Sequence, residues 1–290
     1  MGQILEAKKS NWKPVNELRE KLTEKFPRDS FLKALLEGAW RVARDKSNPI
    51  RGNLVASALR EIFGHILHSL APDADVRKCT WFEQAKDTKT VTRRQKAHFI
   101  VHAGLPPDFV EKDLNLVISD YVDPLLDAFD NLNKATHVRA GTILFKGKEV
   151  RQLLSDVIRG ILNLLNATVD ARSDLEERVE ETMHHAVFEN LISETIQELD
   201  ELSTHTMVDG HFIDKVKVIK LDAEQVVYEV TGEVDVELQY GSNSDVRNDI
   251  GARIGDSYPY RATVFSRAAK PMEMHSEDIE LKVDNRSFYE

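Results

Sequence analysis

The first residues along the chain whose types and spacing could do chemistry lie in the segment LVASALREIFGHILHSL, residues 54–70. At about 100° per residue of helix, Leu54, Val55, Ala58, Leu59, Ile62, Phe63, Ile66, Leu67 and Leu70 gather on one side. Ser57, Arg60, Glu61, Gly64, His65 and His68 gather on the other. Arg60 and His65 flank that polar face about 140° apart, with His68 between them and Gly64 leaving the backbone open. Arginine is a fixed cationic fork that holds phosphate oxygens and offsets the charge that builds during phosphoryl transfer. Histidine can move a proton to or from a ribose 2′-hydroxyl or a leaving oxygen near neutral pH. Such a pair needs neither metal nor cofactor, because RNA carries its own nucleophile. The same residue types are also ordinary on the solvent side of an amphipathic helix.

Other constellations could join this face. TRRQKAHFIVH, residues 92–102, places Arg94, His98 and His102 four apart, with Arg93 and Lys96 beside them. That stripe could follow an RNA backbone, or be a solvated face. LNKATHVRAGT, residues 132–142, puts His137 where a helix ends. It could line the same site or satisfy terminal carbonyls. His184 follows Glu180 by four positions in a stretch rich in glutamate, so coincidence is the simpler account of a metal-ligand spacing there. In EVDVELQY, residues 233–240, Glu233, Asp235 and Glu237 share one strand face. Carboxylates on strands can hold catalytic metals, but the same alternation marks a half-exposed antiparallel strand. The chain has no glycine-rich phosphate loop, no G-x-S-x-G and no H-E-x-x-H, which disfavours P-loop ATPases, serine hydrolases and zincins.

The elements that must position these residues are helical as far as about residue 205. Helices are predicted over 15–26, from an Asp29 or Ser30 cap through Trp40, over 53–70, over 92–102, over 107–135, over 148–166, and over 170–202. The last is long and charged, with Leu175, Val179, Ala186, Leu191, Leu199 and Leu202 as its buried positions. Period-two alternation then begins in VKVIKL and VVYEVTGEVDVELQY, which predicts strands. Pro259 is expected to interrupt, ATVF to give a short strand, and residues 279–283 to give the last. GSNSDVRND, residues 241–249, reads as a loop. The fold class expected is α+β: a multi-helix domain over 1–205 ending in a long helix, then a small antiparallel β domain over 206–290.

Composition narrows the function. The chain has 290 residues, 41% hydrophobic and 30% charged, enough for a packed core. The first hundred residues carry 20 Lys and Arg against 12 Asp and Glu; the rest carry 19 against 37. Charges of +8 and −18 therefore make up the net −10. The overall sign argues against a protein that coats nucleic acid by bulk charge, yet the basic first third could meet phosphate. Charge pairing within the chain or across a dimer explains the asymmetry equally well. The single cysteine, Cys79, excludes an internal disulfide. The opening MGQILEAKKSNWKP has no secretory apolar core, and no apolar run is long enough for a membrane span, so a cytoplasmic protein is expected.

Arg60-Glu61-Ile62-Phe63-Gly64-His65 resembles the R-x4-H pattern of HEPN-type ribonucleases, small helical domains that usually act as dimers. ALREIFGHILHSLAPDADV (58–76), TRRQKAHFIVHAG (92–104), LNKATHVRAGT (132–142) and VDVELQYGSNSD (234–245) are similar to the bacterial predicted pPIWI-associating nuclease family. The resemblance implies a HEPN-like helical bundle and a metal-independent endoribonuclease of a bacterial defence or toxin system. Arg60 would hold phosphate, His65 would transfer the proton, and Glu61 would be the polar residue beside them. His68, Arg93, Arg94, His98, His102 and His137 are the accessory candidates. RNA (tRNA among the candidates), a second copy and a defence-system protein are the implied partners; the β domain would regulate or dock. A non-catalytic partner-binding component and a metal-dependent nuclease using Glu233, Asp235 and Glu237 stay open as alternatives. HEPN motifs sit late in their helical domain, whereas here several predicted helices follow.

Overall fold

The computed structural model describes residues 12–139, 141, 143–144 and 146–290. The opening stretch before Trp12, and Ala140 and Thr142 of the 132–142 segment, lie outside the described residues. Among those described are ten α-helices: α1 (Lys13–Lys25), α2 (Ser30–Arg44), α3 (Arg51–Leu70), α4 (Asp73–Val76), α5 (Arg93–His102), α6 (Pro107–Lys112), α7 (Ser119–Thr136), α8 (Gly147–Ser193), α9 (Gln197–Asp200) and α10 (Asn243–Arg247). Four strands, β1 (His205–Leu221), β2 (Gln225–Tyr240), β3 (Ala252–Arg267) and β4 (Ile279–Val283), form one antiparallel sheet in the order β1-β2-β3-β4. The α+β class is as expected.

The chain divides into two compact units. The first comprises the residues up to Val76 together with Gln84–Val101 and Val117–Val169. Its centre is α3, which packs against α2 and α7. Val55, Ala56, Leu59, Ile62, Phe63, Ile66 and Leu67 are all buried there, and Phe63 meets Phe129 of α7 at 4.9 Å between ring centroids. Each large apolar side chain so buried contributes about 1.5–3 kcal/mol. The apolar face predicted for 54–70 is correct in its middle. Its ends differ: Leu54 and Leu70 are exposed, and Asn53 is buried instead, donating to the Ala135 carbonyl and accepting from Leu144 N–H.

The second unit comprises Arg77–Glu83, His102–Leu116 and Asp170–Glu290. Its core includes the inward face of the sheet, with Val226, Tyr228, Val230, Val234, Val236 and Leu238 from β2 and Tyr258, Tyr260, Ala262 and Val264 from β3. The buried positions predicted from Leu175 to Leu202 are all buried. β1 carries three register shifts, after Val208, Ile213 and Val218. Such bulges twist an edge strand away from stray pairing.

Four predicted boundaries differ. The helix expected over 107–135 is two, because Asn115 turns left-handed (φ 52°) between α6 and α7. The helices expected over 148–166 and 170–202 are one through Ser193. Nothing between Asn166 and Asp170 is a glycine or proline, and the Thr168 hydroxyl bonds the Leu164 and Ile100 carbonyls without breaking the ladder. Strand β3 runs through Pro259 instead of stopping there. The Pro259 carbonyl accepts from Asp284 N–H, just past the end of β4, so its missing N–H lies on that side and costs β2 no bond. The stretch 241–249 contains α10, which opens with a capping box between Ser242 and Asp245.

Gly104, two residues past the end of α5, is a close approach. Its N–H donates to the Asp222 carbonyl, and a Cβ there would fall 2.2 Å from the Ala223 carbonyl oxygen. Backbone must move to admit it. Gly104→Ala is expected to lower stability by about 1–3 kcal/mol in urea unfolding.

Candidate functional site

The site begins at the N-terminus of α2. Asp29 caps that helix, its Oδ1 accepting from Leu32 N–H at 2.8 Å. Its other oxygen, Oδ2, lies 2.6 Å from His65 Nε2 on α3. The carboxyl is held below the usual carboxylate range, first by the Leu32 amide and then by His65. An ionised carboxylate only accepts, so Nε2 carries the proton of this bond and Nδ1 is the basic nitrogen of the neutral ring. The pair is half-buried, with the side chains 26% and 23% exposed. The Phe31 ring meets His65 in a T-shaped contact, centroids 5.0 Å apart. One turn of α2 and one turn of α3 thus fix both the tautomer and the plane of His65.

The rest of the α3 polar face is open. Arg60 is exposed and keeps a loose contact with the neighbouring Glu61, 3.7 Å from Nε to Oε1. His68 is exposed, and nothing lies within 4 Å of a Cβ built on Gly64. Because α3 is a continuous helix, Arg60, Gly64, His68 and His65 succeed one another around its surface over about 140°. An Arg fork and a His base with its nitrogen set by a carboxylate can together hold an anionic group and move a proton beside it.

The other candidates are placed differently. Arg93 lies over the Phe129 ring at 4.2 Å, and Arg94 is paired with Asp123. Lys96, read as part of a basic face, is buried; it pairs with Asp73 at 2.5 Å and donates to the Ala71 carbonyl. The Lys96–Asp73 bond is the leading cause holding the Asp73 carboxyl low. His98 is half-buried. His102 is completely buried in the second unit, with Nδ1 2.8 Å from the Leu105 carbonyl and its ring against Trp81. The spacing of Arg94, His98 and His102 therefore runs from surface into core and forms no continuous exposed stripe. His137 is exposed and is the C-cap residue of α7. On the sheet, Glu233 and Asp235 are exposed, Asp235 accepts from the Ser257 hydroxyl, and Glu237 pairs with Arg253. Among the described residues, no group of three or more His, Cys, Asp and Glu is arranged to hold a metal ion.

Sequence reading missed two polar clusters. Asp29 was visible only as a cap, since the 36 positions to His65 carry no spacing signal. In the second unit, His211 Nε2 donates to the His184 carbonyl at 3.0 Å and Nδ1 accepts from the Tyr260 hydroxyl at 3.0 Å. The His184 and His211 rings are 4.0 Å apart. Burial and the His184 charge hold the His211 imidazole below its ordinary value, and burial pushes the Tyr260 phenol up.

Two family models, each described as a predicted pPIWI-associating nuclease, match residues 23–161 and 168–289. Together the two cover most of the chain, which belongs to the predicted pPIWI-associating nucleases. Comparison with curated proteins and with solved structures gives no match. Among the described residues no helix is long and apolar enough to cross a membrane.

Two outcomes are expected. Asp29→Ala removes the cap and should cost about 1 kcal/mol in urea unfolding. For His211 the folded value lies below the unfolded one, so the unfolded chain binds more protons. The stability it contributes is present above about pH 6.5 and lost as pH falls through the folded value. The urea midpoint should drop on acidification from pH 7.5 to 5.5, and His211→Gln should flatten that dependence.

Proposed function

We propose that the chain is a metal-independent endoribonuclease whose site is the α3 polar face. The observation that carries this reading is the Asp29–His65 hydrogen bond on the same face as Arg60. The R-x4-H spacing, which resembles HEPN-type ribonucleases, supports it, as does the family's nuclease description. In this mechanism His65 Nδ1 takes the proton of a ribose 2′-hydroxyl. That oxygen bonds to the adjacent phosphorus, and the bond from phosphorus to the 5′-oxygen breaks. The departing oxygen takes a proton from protonated His68, which lies between Arg60 and His65. Arg60 stabilises the non-bridging oxygens as charge builds. Asp29 is a positioning residue: it fixes the tautomer and the ring plane.

RNA is the substrate because this route needs a 2′-hydroxyl; tRNA is one such substrate. A homodimer, a cytoplasmic location and a place in a bacterial defence or toxin system belong to the same reading. The family description points to a pPIWI protein as the partner. Residues 206–290 would dock or regulate. A second reading, a partner-binding component without catalysis, is favoured by one observation: Arg60 and His65 each meet a local carboxylate.

Purified protein with total RNA and tRNA in excess EDTA separates them. The wild type should cleave. His65→Ala and Arg60→Ala should lose at least about 100-fold in rate with an intact circular dichroism spectrum. Undiminished cleavage by His65→Ala would overturn the catalytic assignment. Cleavage that appears only with Mg²⁺ or Mn²⁺ and fails in Glu233→Gln would transfer it to the strand carboxylates. RNA binding without cleavage under any of these conditions would leave the partner-binding reading.

A further inference from the structure

Phe31 is 56% exposed although it stands in the first turn of a well-packed helix. The buried side of α2 is made by Leu32, Leu36, Ala39 and Ala43, so the fold does not need Phe31 there. Among the described residues its ring meets that of His65, and more than half of the residue stays open to solvent. Cationic residues flank it in the sequence. Arg28 is exposed three positions earlier, and the Lys33 ammonium is held 2.6 Å from the Pro27 carbonyl. A largely exposed aromatic ring against the histidine proposed for proton transfer suits a nucleotide whose base lies on the ring and whose phosphate reaches that histidine.

We propose that Phe31 is a stacking platform for one unpaired nucleobase, which makes the substrate of the His65 site a single-stranded or locally unpaired segment. The proposal rests on reading that site as a nucleic-acid site. In a duplex both faces of each internal base are covered by its neighbours, and none is free to lie on a protein ring. An unpaired base exchanges water for the phenyl face, and the contact tolerates any base because every base has a π-face. Placement on Phe31 sets which phosphate comes to His65, so the platform selects loops and single strands over paired stem without reading their sequence.

The test uses the full chain and a short RNA carrying 2-aminopurine at one position, as a single strand and annealed to its complement. Wild type is expected to bind the single strand with a change in 2-aminopurine fluorescence and to bind the duplex at least tenfold more weakly. Phe31→Ala should weaken single-strand binding about tenfold. Phe31→Trp should restore both affinity and the fluorescence change. Equal affinity for strand and duplex, or wild-type binding by Phe31→Ala, overturns the proposal. His65→Ala keeps the two readings apart. If it still cleaves while the Phe31-dependent fluorescence change persists, the catalytic assignment fails and the platform stands. If cleavage depends on His65 while Phe31→Ala binds like wild type, the platform fails alone.

Discussion

Burial of one face of α3 is the constraint on which the first unit depends. Seven apolar side chains from Val55 to Leu67 are sealed against neighbouring helices, and Phe63 is locked onto Phe129. A helix held this tightly cannot rotate about its axis without exposing several large side chains, each at about 1.5–3 kcal/mol. Its opposite face is fixed by the same packing. Arg60, Gly64, His65 and His68 acquire their order around the surface from hydrophobic contacts none of them makes.

The second constraint is that one carboxylate serves two elements. Asp29 gives Oδ1 to the first turn of α2 and Oδ2 to His65. Formation of α2 and orientation of the imidazole are therefore linked. Protonating Asp29 weakens the cap and the ring bond together, and the Leu32 amide that the cap satisfies also helps keep the carboxylate charged. A surface histidine with no such partner would sample several rotamers and both tautomers. Here a local helix signal orients the ring.

Much of this was legible in the sequence, and the limit was physical. Periodicity found α3, α5, the buried positions of α8 and the alternation of β2, because each reports a side chain's phase within one element. It found the polar face that carries Arg60 and His65 for the same reason. It could not place Lys96, whose cationic type suggested a surface, because a buried lysine is decided by its partners Asp73 and Ala71. It read Arg94, His98 and His102 as one stripe, correct in angle, but how deep each position sits depends on what packs over the helix. Pro259 is a breaker by type and harmless by register, since the strand pairing alone decides which side its nitrogen faces. Asp29–His65 and His211–Tyr260 are tertiary pairs, and no spacing within one element encodes them.

The sheet shows why polar residues that look alike in sequence diverge in what they can do. Glu233, Asp235 and Glu237 alternate with buried Val234, Val236 and Leu238, and the pleat turns all three to the open side. There Asp235 and Glu237 find Ser257 and Arg253 on the adjacent strand, which spread and neutralise their charge. On the edge strand, the His184 carbonyl fixes one nitrogen of the half-buried His211 and Tyr260 occupies the other. Both of its nitrogens are used, so it contributes to stability as a neutral ring. His65 differs in one respect: its carboxylate partner takes only Nε2, and the second nitrogen is left for the proton transfer proposed for α3.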